Sequence, residues 1–178
     1  MNEVMCVWRR PGPEDVGLAR FLVDGALAAA EVDGALAAAE VDGALAAAEV
    51  DEAGLGVARL AVSEAFTNAL LHGRPEVGVE VWTWPGRCGV VEVYDTGPTL
   101  PVFPEPEELA RVIDDHGRGL GLIRAFTREV CGVYRCGVGK RVWFAVAMDG
   151  SALDTRRTRA LVEEHARLRA PRSAALMV

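Results

Sequence analysis

Between Leu55 and Gly73 the sequence commits to a long apolar helix, which Gly73, Arg74 and Pro75 stop and which alternating valines follow at once. Leu55, Ala58, Leu60, Ala61 and Val62 form the apolar front half of the helix, and Val77, Val79 and Val81 read as a half-buried strand. Neither element can bury its apolar face alone, so the pair calls for a helix layer on a sheet layer. Within Ser63 to Gly73, Glu64, Asn68 and His72 fall four apart and share one helix face.

Three polar groups on an apolar helix are costly if they face the interior, because each must find a partner when it leaves water. A ligand could supply those partners. A carboxylate can take a proton from an attacking hydroxyl, and an amide oxygen one turn away can ligate a hard cation such as Mg2+. The alternative reading of the row is a solvated helix face.

Downstream, the strand after the Pro85-Gly86 turn places Val91, Val93 and Asp95 on one face, so Asp95 ends an apolar row as either a turn former or a ligand group. Thr96 to Asp115 holds four prolines and a short helix-like piece at Glu107 to Ile113, the composition of a surface lid. It leads into His116-Gly117-Arg118-Gly119-Leu120-Gly121-Leu122. Alternate glycines before a helix can bring backbone N–H groups close to an anion at the positive helix end, or can form a plain turn. Two further strands, Glu129 to Cys136 and Arg141 to Met148, flank a Gly-Val-Gly-Lys turn. Hairpins with helices between them give an α+β class.

The amino-terminal end, Val4 to Trp8, reads as an edge strand, and Pro13 followed by acids opens a helix. That helix enters a nine-residue repeat, Val-Asp-Gly-Ala-Leu-Ala-Ala-Ala-Glu, starting at Val23, Val32 and Val41. Nine residues turn a helix by about two and a half turns, so the two extra copies lengthen it by about 27 Å while restoring its face. Alanine favours the helix, whereas Gly25, Gly34 and Gly43 oppose it and the Asp-Gly pairs are turn signals. The repeat is expected to be a protruding or partly broken helix without chemistry. A domain over residues 1–150 and a helical or frayed tail over 151–178 follow. The tail, with Asp154 as its cap and Leu153, Leu161 and Leu168 at helical spacing, could pack on the body or bind a partner, and is read as a solvated helix with frayed ends.

A net charge of −7 from 26 acidic and 19 basic side chains argues against a nucleic-acid surface. The four cysteines have no Cys-x-x-Cys spacing and are not grouped with the histidines as zinc ligands. No signal-peptide pattern opens the chain and no long apolar run appears, so the expectation is a cytoplasmic protein with no membrane contact.

The three polar boxes, in this order, resemble the GHKL or Bergerat-fold ATPase superfamily, most closely its branch of anti-sigma-factor serine/threonine kinases. Ser63 to Ala69 with His72 is similar to the N-box, Val93 to Pro98 to the adenine box, Gly117 to Leu122 to the glycine-rich lid, and Gly139 to Phe144 to the last strand. The resemblance implies a two-layer α/β sandwich, with a mixed, mostly antiparallel sheet and helices on one face. It implies ATP and Mg2+ as cofactors, Glu64 as general base and Asn68 as the Mg2+ ligand. His72, Asp95, Gly97, Gly117, Arg118, Gly119, Leu120 and Gly121 would line the nucleotide, with Asp95 accepting from the adenine amino group. Arg141 is expected where many relatives carry a threonine near the adenine.

The activity so implied is phosphorylation of a serine or threonine on a STAS-type anti-sigma antagonist, together with sequestration of a sigma factor, in a homodimer. The alternative is a non-catalytic ATP-binding module that works by partner binding alone, with Arg141 and the enlarged helix in its favour. A histidine-kinase catalytic domain would need a helical hairpin with an acceptor histidine, which the sequence does not present.

Overall fold

The computed structural model describes residues 3–42, 52–84, 88–105, 118–149 and 151–169, with only the backbone for residues 31–42. In chain order the elements are β1 (Glu3–Trp8), α1 (Asp15–Asp42), α2 (Glu52–His72), β2 (Val77–Trp84), β3 (Cys88–Asp95), α3 (Arg118–Phe126), β4 (Cys131–Cys136), β5 (Gly139–Ala147) and α4 (Thr155–Arg169). The strands form one sheet in the order β1-β2-β3-β5-β4, and each described pairing is antiparallel. The α+β sandwich predicted from the sequence is the architecture found.

Strand alternation sorts the sheet into two faces. Register sets Val79, Val93 and Val142 in one cross-strand row and Val81, Val91 and Phe144 in the next. These rows are buried under α1 and α2. In α2 the buried residues are Leu55, Ala58, Ala61, Val62, Ala65, Phe66 and Ala69, the helix stripe expected from their spacing. Trp8 from β1 meets Phe66 edge-on at 5.1 Å between ring centroids.

Among the described side chains of α1 the buried ones on its apolar face are Ala19, Val23, Leu27 and Ala30, three of which come from the first copy of the repeat. Gly89 on β3 lets Leu27 settle on the sheet, since a β-carbon there would overlap the leucine methyl. The helix continues through the second copy to Asp42, whereas the remainder of the third copy lies outside the described residues. Alanine propensity therefore outweighs the Asp-Gly signals at least that far.

The tail differs from the solvated helix expected of it. Asp154 does cap α4, its Oδ1 accepting from Arg157 N at 2.8 Å. Thr158, Val162 and His165 are buried, however, and Val162 joins a second core of Trp82, Cys88, Val90, Val130, Trp143 and Ala145. These sheet residues alternate with those under α1 and α2, so α4 covers the opposite face, and helices lie on both faces of the sheet instead of the one face expected. Of the expected leucine stripe, Leu153 packs against this core, whereas Leu168 is 70% exposed. Residues 170–178 lie outside the description. No helix among the described residues is long and apolar enough to cross a membrane.

Candidate functional site

The residues singled out by sequence come from three elements that meet at one end of the sheet. Glu64 and Asn68 are half-buried on α2, while His72, its last residue, is exposed. Gly119, Leu120 and Gly121 are buried in the first turn of α3, and Arg118 is exposed at its start. Gly117, His116 and the helix-like piece at Glu107 to Ile113 lie outside the described residues, as does the Pro85-Gly86 turn.

Helix α3 meets α2 across a glycine. A β-carbon on Gly119 would stand 2.6 Å from Glu64 Oε2 and 3.1 Å from Asn68 Nδ2, so both polar side chains converge on bare backbone. The first N–H groups of a helix have no partner within it and carry its positive end, which makes this turn suited to an anion. Asn68 Nδ2 is buried with no hydrogen-bond partner among the described residues. Exchange of the amide atoms would put a carbonyl oxygen at the same point, a donor suited to a hard cation. Such an orphaned polar group, a carboxylate beside it and a cradle open only because Gly119 lacks a side chain fit a Mg2+-bound polyphosphate.

Asp95 ends β3 on the same sheet face and is buried. Its Oδ1 accepts from Gly97 N at 2.6 Å and from Lys140 Nζ at 2.7 Å. Gly73 and Gly97 border this carboxylate: a β-carbon on Gly73 would lie 2.8 Å from Oδ1, and one on Gly97 2.7 Å from it. Thr96 is anchored beside them by donating to the Pro75 carbonyl at 2.8 Å. Both members of the Asp95–Lys140 pair have left water, and their attraction offsets the cost of burying each charge.

From the sequence alone Lys140 belongs to a turn and Arg141 stands near the site. Register corrects this assignment. Lys140 pairs with Asp95 and faces α2, whereas Arg141, the next residue, projects to the α4 face. There it donates to Glu80 Oε2 at 2.7 Å and Glu92 Oε2 at 2.9 Å. The signal available in the sequence was the two-residue period from Asp95 and from Phe144, which gives Lys140 the inward parity.

The α4 face holds a buried polar network instead of a ligand site. Tyr134 Oη donates to Glu92 Oε2 at 2.9 Å, and Arg169 from α4 ion-pairs with both Glu3 and Glu80. Burial pulls the Arg141 guanidinium down, but Glu92 and Glu80 together hold it above its ordinary value. Burial, with Glu92 beside it, pushes the Tyr134 phenol far up. His165 stacks on Trp82 at 4.3 Å and is held below its ordinary value by burial and by Arg169, against the opposing pull of Glu92, Glu80 and Glu3. Glu3, Glu80 and His165 could together face a metal ion, but the Arg169 guanidinium already meets the charge of both carboxylates. A groove of about 550 Å³ opens between β4 and α4, and Cys131, Trp143, Arg159 and Val162 are among its lining. None of the residues around Glu64 or Asp95 borders it.

Comparison with known families matches residues 26–146 to the histidine kinase-like ATPase domain. Comparison with curated proteins finds no match.

Proposed function

The chain belongs to the histidine kinase-like ATPase family, and from that premise we propose that it is an ATP- and Mg2+-dependent serine/threonine kinase of the anti-sigma-factor type. In this reading it phosphorylates a STAS-type antagonist and sequesters a sigma factor, as a homodimer in the cytoplasm. Membership makes it an ATP-binding, kinase-like domain; the protein substrate and partners are the proposal.

The observation that carries the reading is the approach of Glu64 and Asn68 to Gly119 at the start of α3. When bound, Mg-ATP supplies the phosphoryl group and the charge that neutralises it. Glu64 accepts the proton of the substrate hydroxyl as that oxygen bonds to phosphorus and the bond to the departing diphosphate breaks. Asn68 offers its amide oxygen to the cation. The N–H groups of Gly119, Leu120 and Gly121, at a helix start with two glycines, would hold the phosphate oxygens. Asp95 would accept from the adenine amino group, with Gly97 beside it. His72 and Arg118, both exposed, border the site from its rim.

Arg141 no longer favours the non-catalytic alternative, since it stands on the opposite face of the sheet from Asp95. Glu64→Ala is expected to abolish phosphate transfer to a cognate antagonist and to leave Mg2+-dependent nucleotide binding in place. Transfer that survives the substitution would remove Glu64 as the base.

A further inference from the structure

Lys140 carries more hydrogen-bond donors than the fold uses. Strands β3 and β5 set it opposite Asp95, so both side chains emerge together at the end of the sheet under α2. An ammonium has three N–H groups, and among the described residues Lys140 donates only to Asp95 Oδ1, at 2.7 Å. The side chain is 7% exposed, so the remaining donors are largely withdrawn from solvent. Leaving such donors unmet is costly.

Asp95 is equally one-sided. Gly97 N and Lys140 Nζ both donate to Oδ1, and no described donor reaches Oδ2. Bare backbone borders the pair, since a β-carbon on Gly97 would stand 2.7 Å from Asp95 Oδ1 and 2.8 Å from Lys140 Nζ. A carboxylate oxygen and ammonium hydrogens without described partners therefore sit side by side next to Gly97. This arrangement matches a ring edge that presents a donor next to an acceptor.

We propose that Lys140 is a specificity-determining residue that reads the base directly, donating to the N1 acceptor of adenine while Asp95 accepts from the neighbouring amino group. The inference rests on the nucleotide reading above and adds a second, charged contact to it. Adenine presents an amino donor beside a lone-pair nitrogen. A purine with a hydrogen on N1 turns that hydrogen toward the ammonium, and a base without the nitrogen leaves it unmet.

The test is calorimetric binding of ADP and of 1-deaza-ADP, which keeps the amino group and lacks the N1 acceptor, both with Mg2+. The unaltered protein is expected to bind the analogue roughly ten- to a hundredfold more weakly, the range of a hydrogen bond from a charged donor. Lys140→Met should bind ADP more weakly and bring the two nucleotides to within about twofold of each other. If Lys140 serves only as the counter-ion of Asp95, the substitution lowers both affinities alike, the discrimination persists and the proposal falls. Equal binding of the two nucleotides by the unaltered protein overturns it without any variant. Failure of the unaltered protein to bind either nucleotide contradicts the nucleotide reading itself and takes this inference with it.

Discussion

Lys140 and Arg141 are adjacent in the chain and stand on opposite faces of the sheet, Lys140 Nζ 2.7 Å from Asp95 Oδ1 and Arg141 Nη1 2.7 Å from Glu80 Oε2. One residue serves the candidate site and the other the buried network under α4. Because a strand alternates faces residue by residue, this one-residue distinction separates effects on ligand binding from effects on stability.

Arg141→Met should destabilise the fold by about 3–5 kcal/mol, because buried Glu80 and Glu92 would lose one of their two cationic partners and keep only Arg169, which stands 3.8 Å from Glu92. Urea unfolding measures the loss. A change under 1 kcal/mol, on the scale of an exposed pair, would mean that the network is solvated.

The buried, neutral His165 makes stability depend on pH on the acid side. Its folded-state value lies below the unfolded one, near 6.5, so the unfolded chain binds more protons as pH falls. Stability is thus fully present above about pH 6.5 and declines as the pH drops toward the folded value, with a slope of at most about 1.4 kcal/mol per unit from this group. Glu3, Glu80, Glu92 and Arg169 face the ring, so His165→Gln should flatten this component in urea midpoints taken across that range. An unchanged slope would mean that His165 does not carry the acid sensitivity.

Gly119→Ala should affect transfer more than binding. The added carbon would come within 2.6 Å of Glu64 Oε2, the free end of a flexible side chain, which can move away at little cost to the fold. Displacement of a catalytic group by about 1 Å is associated with losses on the order of a hundredfold. The expected result is a transfer rate reduced by about that factor, with ADP affinity within about tenfold of the original. Equal losses in both would indicate that Gly119 holds the nucleotide and does not set the position of Glu64.

Removal of α4 should unfold or loosen the domain instead of trimming a dispensable tail. It would uncover Trp82 and Trp143 and strand Glu80, whose second cationic partner is Arg169. A chain ending before Asp154 is expected to lose cooperative unfolding, read by near-ultraviolet circular dichroism. A sharp transition at the full-length midpoint would contradict the packing described for this helix.

Much of this arrangement was legible in the sequence where side-chain period and chemistry agreed. The stripe of α2, the valine rows of β2 and β3, Asp95 at the end of its row and the cap at Asp154 all follow local rules that tertiary structure did not override. The second face was less legible. Glu80, Trp82, Glu92, Tyr94, Arg141 and Trp143 look like the solvent side of a one-sided sheet until a helix is known to lie over them, and the tyrosine and arginines that permit burial of Glu80 and Glu92 come from 42 to 89 residues away, Tyr134 to Glu92 and Arg169 to Glu80 included. Lys140 was hidden for a different reason. A lysine after a glycine turn reads as exposed, and only the pairing with β3 shows that it meets Asp95.

The central claim is that Asn68 and Asp95 belong to one Mg2+-dependent ATP site. Its most direct test is calorimetric titration of ATP, with and without Mg2+, into the unaltered protein and into Asn68→Ala and Asp95→Ala. The account predicts Mg2+-dependent binding that is lost in both variants while their folds, checked by circular dichroism, persist. Absence of binding to the unaltered protein, or binding that neither substitution weakens, would contradict it.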